Sequence, residues 1–537
     1  MQTRLTFAAI LARHVAERPN EIAFYDRTRA ISFAEFDRLC LKSAAWLQAQ
    51  GIGKGDRVAV WLVNRVEWLA LWFGLARLGA ALVAVNTRYR ASELEYILQR
   101  SGARMLVLEL NFRNIDFPAV LKDVNPDVAP ALQCVAVFEA GAGRPAMILG
   151  KPTVSFDLQQ QSCAQTPDDS ESDALVALFT TSGTTRGPKL VMHTQRTMVL
   201  HSQRAAQAYD FEAERTHLLG ALPFCGVFGL NAVMAAFSCG APTTLMDAFD
   251  GATAARLIEK NELTHAFGSD EMYSRIFENV THERPFPSAR RLGFGSFNFG
   301  AEEFALPLRD RGLPLTGLYG SSEVQALFAM QPLTLPVAQQ IQGGGSPASG
   351  VRAQVRIRDI DTGNLLGHGI SGEIEIRADT NFVGYFNDAE ATAKAIDAEG
   401  FFHTGDVGWL REDGTFVYQT RLGDAIRLGG FLVSPVEIEE VLTQFPSVAM
   451  AQVVAVEISG QMRCVAFVTP RPGAVPDEAD LIARASASMG AFKVPARVWV
   501  VDEFPTTLSS NGVKIQRTKL RTMALERLRG DAPVTTV

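Results

Sequence analysis

The sequence predicts an α/β protein: a large N-terminal domain of mostly parallel sheets flanked by helices, a β subdomain, and a small α+β C-terminal domain. Three observations predict it. Short β-rich runs alternate with helical runs early in the chain, in a βαβαβ rhythm. After about residue 350 the texture changes to the two-residue alternation of antiparallel strands. From residue 423 onward helices and strands mix in a compact α+β order.

The elements follow in order. An apolar run over 5–12 is followed at once by Arg13 and His14 with no cleavage site, so it reads as an amphipathic first helix and not as a signal peptide. Residues 56–63 read as a strand, 66–78 as a helix, 81–85 as a strand, 91–100 as a helix and 105–110 as a strand. The most apolar long segment, 67–85, is interrupted by Arg77 and broken by Gly79. It reads as a buried helix followed by a strand, not as a membrane span. Residues 351–360 and 372–377 alternate like antiparallel strands around an Asp361-Thr362-Gly363-Asn364 turn, which sets the β subdomain. Ser434-Pro435-Val436-Glu437 is a helix start, with Ser as N-cap, Pro at N1 and Glu at N3. Strands near 448–456, 463–468 and 498–501 and a helix near 477–489 complete the last module. The border falls at Arg421-Leu422-Gly423-Asp424, where Gly423 frees the backbone, giving domains 1–422 and 423–537.

Composition bounds the function. The chain has 537 residues, 47% apolar and 20% charged, as a soluble protein with a sizeable core has. Net charge is −7 and no Lys/Arg-rich block occurs, which excludes a nucleic-acid partner. The six cysteines form no C-x-x-C pair, so neither a zinc site nor a disulfide framework is expected, and the compartment reads as reducing and cytoplasmic.

The chemistry concentrates in a few motifs. Seven of the ten residues in Thr180-Thr181-Ser182-Gly183-Thr184-Thr185-Arg186-Gly187-Pro188-Lys189 are Ser, Thr or Gly. Such a loop offers backbone N–H groups, hydroxyls and two cations, which suits nucleotide phosphates. It is not a Walker A loop, because Pro188 separates Gly187 from Lys189 and Leu190 follows. Leu318-Tyr319-Gly320-Ser321-Ser322-Glu323 combines a ring for a base, hydroxyls for a phosphate and a carboxylate for Mg²⁺. Gly405-Asp406 supplies a carboxylate for ribose hydroxyls, and Arg421 a cation fifteen residues on. Lys514 follows a glycine turn at Asn511-Gly512. Taken singly, these have plainer readings: a polar linker, a tight turn, a β-turn and a solvated lysine.

Taken together and in this order, the motifs resemble those of the adenylate-forming superfamily, of the acyl-CoA synthetase type. Thr181–Lys189 is similar to its phosphate loop, Tyr319–Glu323 to Y-G-x-[ST]-E and Gly405-Asp406 to T-G-D. Gly372-Glu373-Ile374 and Gly384-Tyr385-Phe386-Asn387 are similar to its G-E-[IL] and G-Y-[WF]-N elements. Gly429-Gly430 through Pro435, Phe492–Pro495 and Lys514 are similar to the late motifs. The resemblance runs from about Phe7 to Arg521.

The resemblance implies a two-step reaction. A carboxylate attacks the α-phosphate of ATP to give acyl-AMP and pyrophosphate, and the thiol of coenzyme A then releases AMP. It implies that Thr181, Ser182, Gly183, Thr184, Thr185 and Lys189 cradle the phosphates, with Thr184 and Glu323 on Mg²⁺ and Ser322 near the α-phosphate. Tyr319, Gly320, Ser321 and the Gly295-Ser296-Phe297 turn would line the nucleotide site, with Asp406 and Arg421 at the ribose. Lys514 would stabilise the charge that develops at the α-phosphate. Gly423 matches the hinge about which the mobile C-terminal domain rotates, bringing Gly429 and Gly430 towards the thiol tunnel. The hinge is usually Lys or Asp, so glycine here implies a more flexible one. In Pro223-Phe224-Cys225-Gly226-Val227-Phe228-Gly229, Gly226 stands where relatives carry a His or an aromatic gate. No Asp stands between Ala221 and Ala236 to bind an ammonium, which argues against an α-amino acid. Phe228, Phe294, Phe297, Phe299 and Leu327 are read as the acyl pocket of a hydrophobic acid, medium-chain, alicyclic or aromatic; the alternative is core packing. Cys225 reads as a buried structural cysteine, not a nucleophile. The expected partners are a small carboxylic acid, ATP and CoA, with a carrier-protein phosphopantetheine as the alternative acceptor and a homodimer as the assembly left open.

Overall fold

The computed structural model of the chain describes residues 4–113, 115–138, 143–161, 166–181, 188–295, 301–422, 426–428, 431–458, 461–489, 493–509 and 512–530. The predicted rhythm is realised in the strands Arg57–Trp61, Ala81–Ala84 and Met105–Leu108 and in the helices Val66–Arg77 and Ala91–Ser101 between them. Their β-branched and aliphatic residues are buried on both faces, as parallel strands require. These strands form the middle of an eight-stranded sheet, with Leu175–Thr180 and Leu190–Thr194 on one side and Cys134–Phe138, Lys151–Phe156 and Met147–Ile148 on the other. Only the two outermost pairs are antiparallel. Leu175–Thr180 runs parallel to Ala81–Ala84, so Thr181 and Asn86 leave the sheet at the same carboxyl edge.

A second sheet of thirteen strands faces the first across shared helices. From Ile22–Asp26 through Thr243–Leu245, Leu218–Gly220, His265–Ser269 and Arg291–Gly295 to Leu315–Ser321, the pairings are parallel. From Leu315–Ser321 onward they are all antiparallel, through Gln325–Met330, Gly344–Pro347, Phe416–Arg421, Phe402–Leu410 and Gly372–Ala378 to Ala353–Arg358. The antiparallel texture after residue 350 is therefore no detached sheet. The pairings Ala329↔Pro347 and Gly344↔Val417 sew it to the parallel half, although it keeps a separate core around Ile357, Ile374, Ile376 and Phe402.

Helix Val66–Arg77 explains the apolar run at 67–85: every residue from Val66 to Ala76 is buried. Asp26 accepts the Val66 N–H at 3.1 Å, and Arg29 bridges Asp26 and Glu67, so the strand of one sheet caps this helix. Trp72 donates to the Val176 carbonyl at 3.1 Å, which ties the helix to the other sheet. Phe237 of the Val227–Cys239 helix meets Phe24, Phe33, Phe36 and Phe73, so aromatic packing closes the space between the layers. Among the described residues no helix is long and apolar enough to cross a membrane.

The C-terminal part has its own three-stranded sheet, Val448–Ile458, Gln461–Pro470 and Val498–Val500. Helices Pro435–Thr443 and Glu478–Ser488 pack on it through Ile438, Leu442 and Leu481, and Arg517–Gly530 through Leu520 and Ala524. Ser434 begins the Pro435–Thr443 helix without making the expected cap. Its hydroxyl donates to the Gln419 carbonyl at 3.4 Å, and Glu437 pairs with Lys493. The physical reason is position: the helix starts beside the strand Phe416–Arg421, and the side chains find partners outside their own turn.

Burial holds five histidines, His14, His193, His201, His217 and His265, down from 6.5 to about 4. They fold neutral and unfold to a state that binds protons below pH 6.5. Their contribution is complete above pH 6.5 and is lost as pH falls towards 4, at about 1.4 kcal/mol per pH unit for each proton taken up. Chemical denaturation at pH 7 and pH 5 is expected to give a markedly lower midpoint at pH 5; equal midpoints would contradict the burial of these rings.

Candidate active site

The hairpin of Leu315–Ser321 and Gln325–Met330 stands where the second sheet changes from parallel to antiparallel. Its tip is Ser322-Glu323-Val324. Gly320 is required here: a Cβ would stand 2.6 Å from Ala326 Cα and from the Gln325 carbonyl. Gln325 and Leu327 carry φ values of 70° and 61°, a region that costs side-chain-bearing residues of order 1 kcal/mol or more each. Buried donors hold this shape. His193 Nε2–H donates to the Ser322 carbonyl at 2.8 Å and His201 Nε2–H to the Ala326 carbonyl at 2.7 Å. Gln325 donates to the carbonyls of Thr197 and Thr380, Asn231 donates to Gln325 Oε1, and Tyr209 donates to the Leu327 carbonyl. The strand Leu190–Thr194 and the helix Gln195–Ala208 that follows it thus grip the turn that carries Ser322 and Glu323.

Tyr319 sends its hydroxyl to Asp406 Oδ2 at 2.6 Å. Arg421 meets Asp406 Oδ1 at 3.0 Å and also donates to the Thr404 carbonyl. Asp406 is 4% exposed; burial pushes its carboxyl up and Arg421 opposes that shift. It lies within the strand Phe402–Leu410, not in a free turn. Gly405 takes φ 66°, and its N–H donates to Glu373 Oε1 at 3.1 Å, so the pairing with Gly372–Ala378 is offset there. Among the described residues Glu373, Glu375 and His403 stand close enough together to ligate a metal. Both oxygens of Glu375 are taken by Arg356 and Arg358, so this cluster serves as support beneath Gly405-Asp406.

Glu323 Oε1 accepts the Tyr385 hydroxyl at 3.0 Å, and the Lys189 ammonium stands 4.4 Å from the centre of the same ring. Burial and the neighbouring Glu323 carboxylate push the Tyr385 phenol far up, so it stays protonated and donates. A cavity of about 100 Å³ opens against this edge. Asn86 and Thr180 from the first sheet line it, as do Gly320, Ser321 and Ser322 from the hairpin and an apolar wall that includes Cys225, Val227, Phe228 and Leu318.

Two sheets therefore bring Thr181, Lys189, two carboxylates and a pocket to one edge. A family profile described as AMP-binding enzyme matches residues 11–386, and one described as AMP-binding enzyme C-terminal domain matches 437–511. The chain belongs to the AMP-binding enzyme family. A (7a-methyl-1,5-dioxo-octahydro-1H-inden-4-yl)propanoyl:CoA ligase of Mycobacterium tuberculosis is 30% identical over 531 residues, covering 96% of this chain and 98% of that one. A medium-chain fatty-acid–CoA ligase of Escherichia coli is 29% identical over 526 residues, covering 96% and 89%. The anthranilate CoA ligase AuaEII, solved with anthranoyl-AMP, superposes with a TM-score of 0.84 at 22% identity, covering 98% of this chain and 99% of that one; it shares the fold.

Set against the family motifs, the geometry sorts the expected residues. Thr181, Lys189, Tyr319, Gly320, Ser321, Ser322, Glu323, Asp406 and Arg421 gather around the hairpin, the 405–406 strand and the phosphate-loop base. Gly226 and Phe228 line the cavity. Phe294 and Leu327 are not among its lining residues: Phe294 is buried against Phe304 and Leu327 is fully buried in the core. The Tyr319 ring is 5% exposed, boxed by Phe328, Phe416 and Tyr418, so its described contacts favour holding Asp406 over stacking on a base. Cys225 is buried and its thiol is pushed up to about 11, as a structural cysteine has it. Gly295 ends the strand Arg291–Gly295. Ser182, Gly183, Thr184, Thr185, Ser296, Phe297, Phe299, Gly423, Gly429 and Gly430 lie outside the described residues, as does the Lys514 side chain; the Lys514 backbone sits in the hairpin of Thr506–Ser509 and Gly512–Ile515. His193, Gln325 and Asn86 had no signal in the sequence. Tyr385 had one, its place in Gly384-Tyr385-Phe386-Asn387.

Replacing His193 by Leu removes the donor from a buried carbonyl and is expected to cost about 1–3 kcal/mol in denaturant unfolding, whereas His193→Gln, which keeps a donor, costs less. Equal losses in both variants would show that packing, not the hydrogen bond, sets the effect.

Proposed function

We propose that the chain activates a hydrophobic carboxylic acid with ATP and passes the acyl group to coenzyme A. The observation that carries this is the meeting of Lys189, Glu323 and Asp406 around one hairpin, beside a cavity with an apolar wall. A carboxylate oxygen of the acid attacks the α-phosphorus, the bond to the bridging oxygen of the β-phosphate breaks, and pyrophosphate leaves. The sulfur of CoA then attacks the acyl carbon, its proton is lost, and AMP leaves with the electron pair.

The residues suit these steps. A carboxylate offers about four lone-pair sites. Tyr319 and Arg421 use one oxygen of Asp406 each, which leaves acceptor capacity for the two hydroxyls of a ribose. Glu323 is partly buried and gives only Oε1 to Tyr385, so its oxygen donors fit a hard cation such as Mg²⁺, which would neutralise phosphate charge. Ser322 on the cavity wall faces the junction of phosphate and acyl group on this reading, and Lys514 supplies the mobile cation from the C-terminal domain 423–537. The apolar part of the lining, Val227, Phe228, Leu318 and Ala326, supports a hydrophobic acid, and its compactness favours a ring or a branched chain over a long extended one. The name of the bicyclic-acid relative leans the same way, and that of the medium-chain relative supports a hydrophobic acid in general.

ATP–pyrophosphate exchange across a panel of aliphatic, alicyclic and aromatic acids, with thioester detection on adding CoA, tests the proposal. Exchange is expected with compact hydrophobic acids and thioester with CoA. Exchange that needs no acid overturns the adenylation, and thioester formed only on a phosphopantetheinylated carrier protein overturns the CoA assignment. Lys514→Ala is expected to slow adenylation by about 10²-fold or more while transfer from supplied acyl-AMP changes little.

A further inference from the structure

Residues 382–386 run between the two halves of the site. On one side Met192 donates to the Gly384 carbonyl, Val383 to the Met192 carbonyl and Phe386 to the Leu190 carbonyl, all along the strand that closes the phosphate loop. On the other side Phe382 donates to the Glu323 carbonyl at 2.7 Å. Tyr385 stands at the centre, 5% exposed, with its ring under the Lys189 ammonium and its hydroxyl on Glu323 Oε1. Lys189 makes no ion pair with the described residues, although an acidic side chain lies just beyond the ring.

That arrangement has a physical consequence. A lysine paired directly with Glu323 would quench both charges before any nucleotide arrived. An aromatic face holds an ammonium through a weaker attraction that a phosphate outcompetes. A neutral phenol donor orients a carboxylate and leaves its charge in place.

We infer that Tyr385 is a positioning residue that keeps Lys189 and Glu323 apart and oriented, its ring lending Lys189 to the phosphates and its hydroxyl fixing Glu323 so that Oε2 is presented to the nucleotide-bound divalent cation. The inference rests on the proposed assignment of Glu323 to the cation, and the test separates the two. Mn²⁺ binding to the full-length protein with ATP, followed by electron paramagnetic resonance, is compared in wild type, Tyr385→Phe, Glu323→Gln and the double variant.

Tyr385→Phe keeps the ring and is expected to weaken Mn²⁺ about 2–10-fold, the effect of one hydrogen bond, and to raise by the same factor the Mg²⁺ needed for half-maximal pyrophosphate exchange. Glu323→Gln is expected to weaken Mn²⁺ more, and the double variant to match Glu323→Gln alone, because the hydroxyl acts only through that carboxylate. A purely structural role for Tyr385 would lower the melting temperature and leave the metal dependence unmoved. If Glu323→Gln weakens Mn²⁺ while Tyr385→Phe binds it as wild type does, or if the two effects add, the positioning role is overturned. If Glu323→Gln itself leaves Mn²⁺ unchanged, the assignment of Glu323 fails and this inference falls with it.

Discussion

A hairpin with two residues at positive φ does not hold its own shape, and in this protein it is held by buried side chains from the strand Leu190–Thr194, from the helices Gln195–Ala208 and Val227–Cys239 with the Tyr209 cap, and from its own Gln325. His193, His201, Gln325, Asn231 and Tyr209 place buried hydrogen bonds on or beside the backbone between Ser322 and Leu327. Each such bond is worth about 1 kcal/mol net, and each orphaned carbonyl would cost about 1–3 kcal/mol, so the lattice outweighs the backbone strain it imposes. The rest of the site depends on this constraint. The hairpin begins the antiparallel half of the large sheet, carries Tyr319, Ser322 and Glu323, and forms one wall of the cavity.

The two carboxylates nearest the proposed nucleotide site are both oriented by phenols. Tyr319 holds Asp406 and Tyr385 holds Glu323. A buried phenol stays protonated and donates without cancelling charge, which suits groups meant to receive a hydroxyl or a cation. Among the described residues only Arg421 pairs directly with either carboxylate, at Asp406, and it does so at the end of the strand Phe416–Arg421. The next residue, Leu422, donates to the Gly405 carbonyl at 2.7 Å. The proposed ribose site and the proposed domain border thus share the same few backbone bonds.

Much of this was legible in the sequence because it is local. The βαβαβ rhythm over 57–108, the buried run at 66–76 and the late α+β module follow from side-chain periodicity and length. The motif residues Lys189, Glu323 and Asp406 stand out in the sequence by residue type and spacing; that the buried Tyr319 ring holds Asp406 does not. For Phe294 and Leu327, size and polarity leave pocket and core packing both open, because they cannot tell a core face from a cavity face of the same strand. Ser434 carries a capping pattern, yet its hydroxyl crosses to Gln419 because another strand lies within reach.

The sequence by itself determined the local elements and the motifs that place the chain in the AMP-binding enzyme family, since these depend on neighbours in the chain. Only the tertiary structure decided that the antiparallel strands continue the parallel sheet, that His193 fastens a turn 129 residues away, and that Tyr385 stands between Lys189 and Glu323. Those facts rest on hydrogen bonds and ring contacts between distant segments. Such contacts leave no period or spacing in the sequence; they exist only once two sheets and the helices between them have packed.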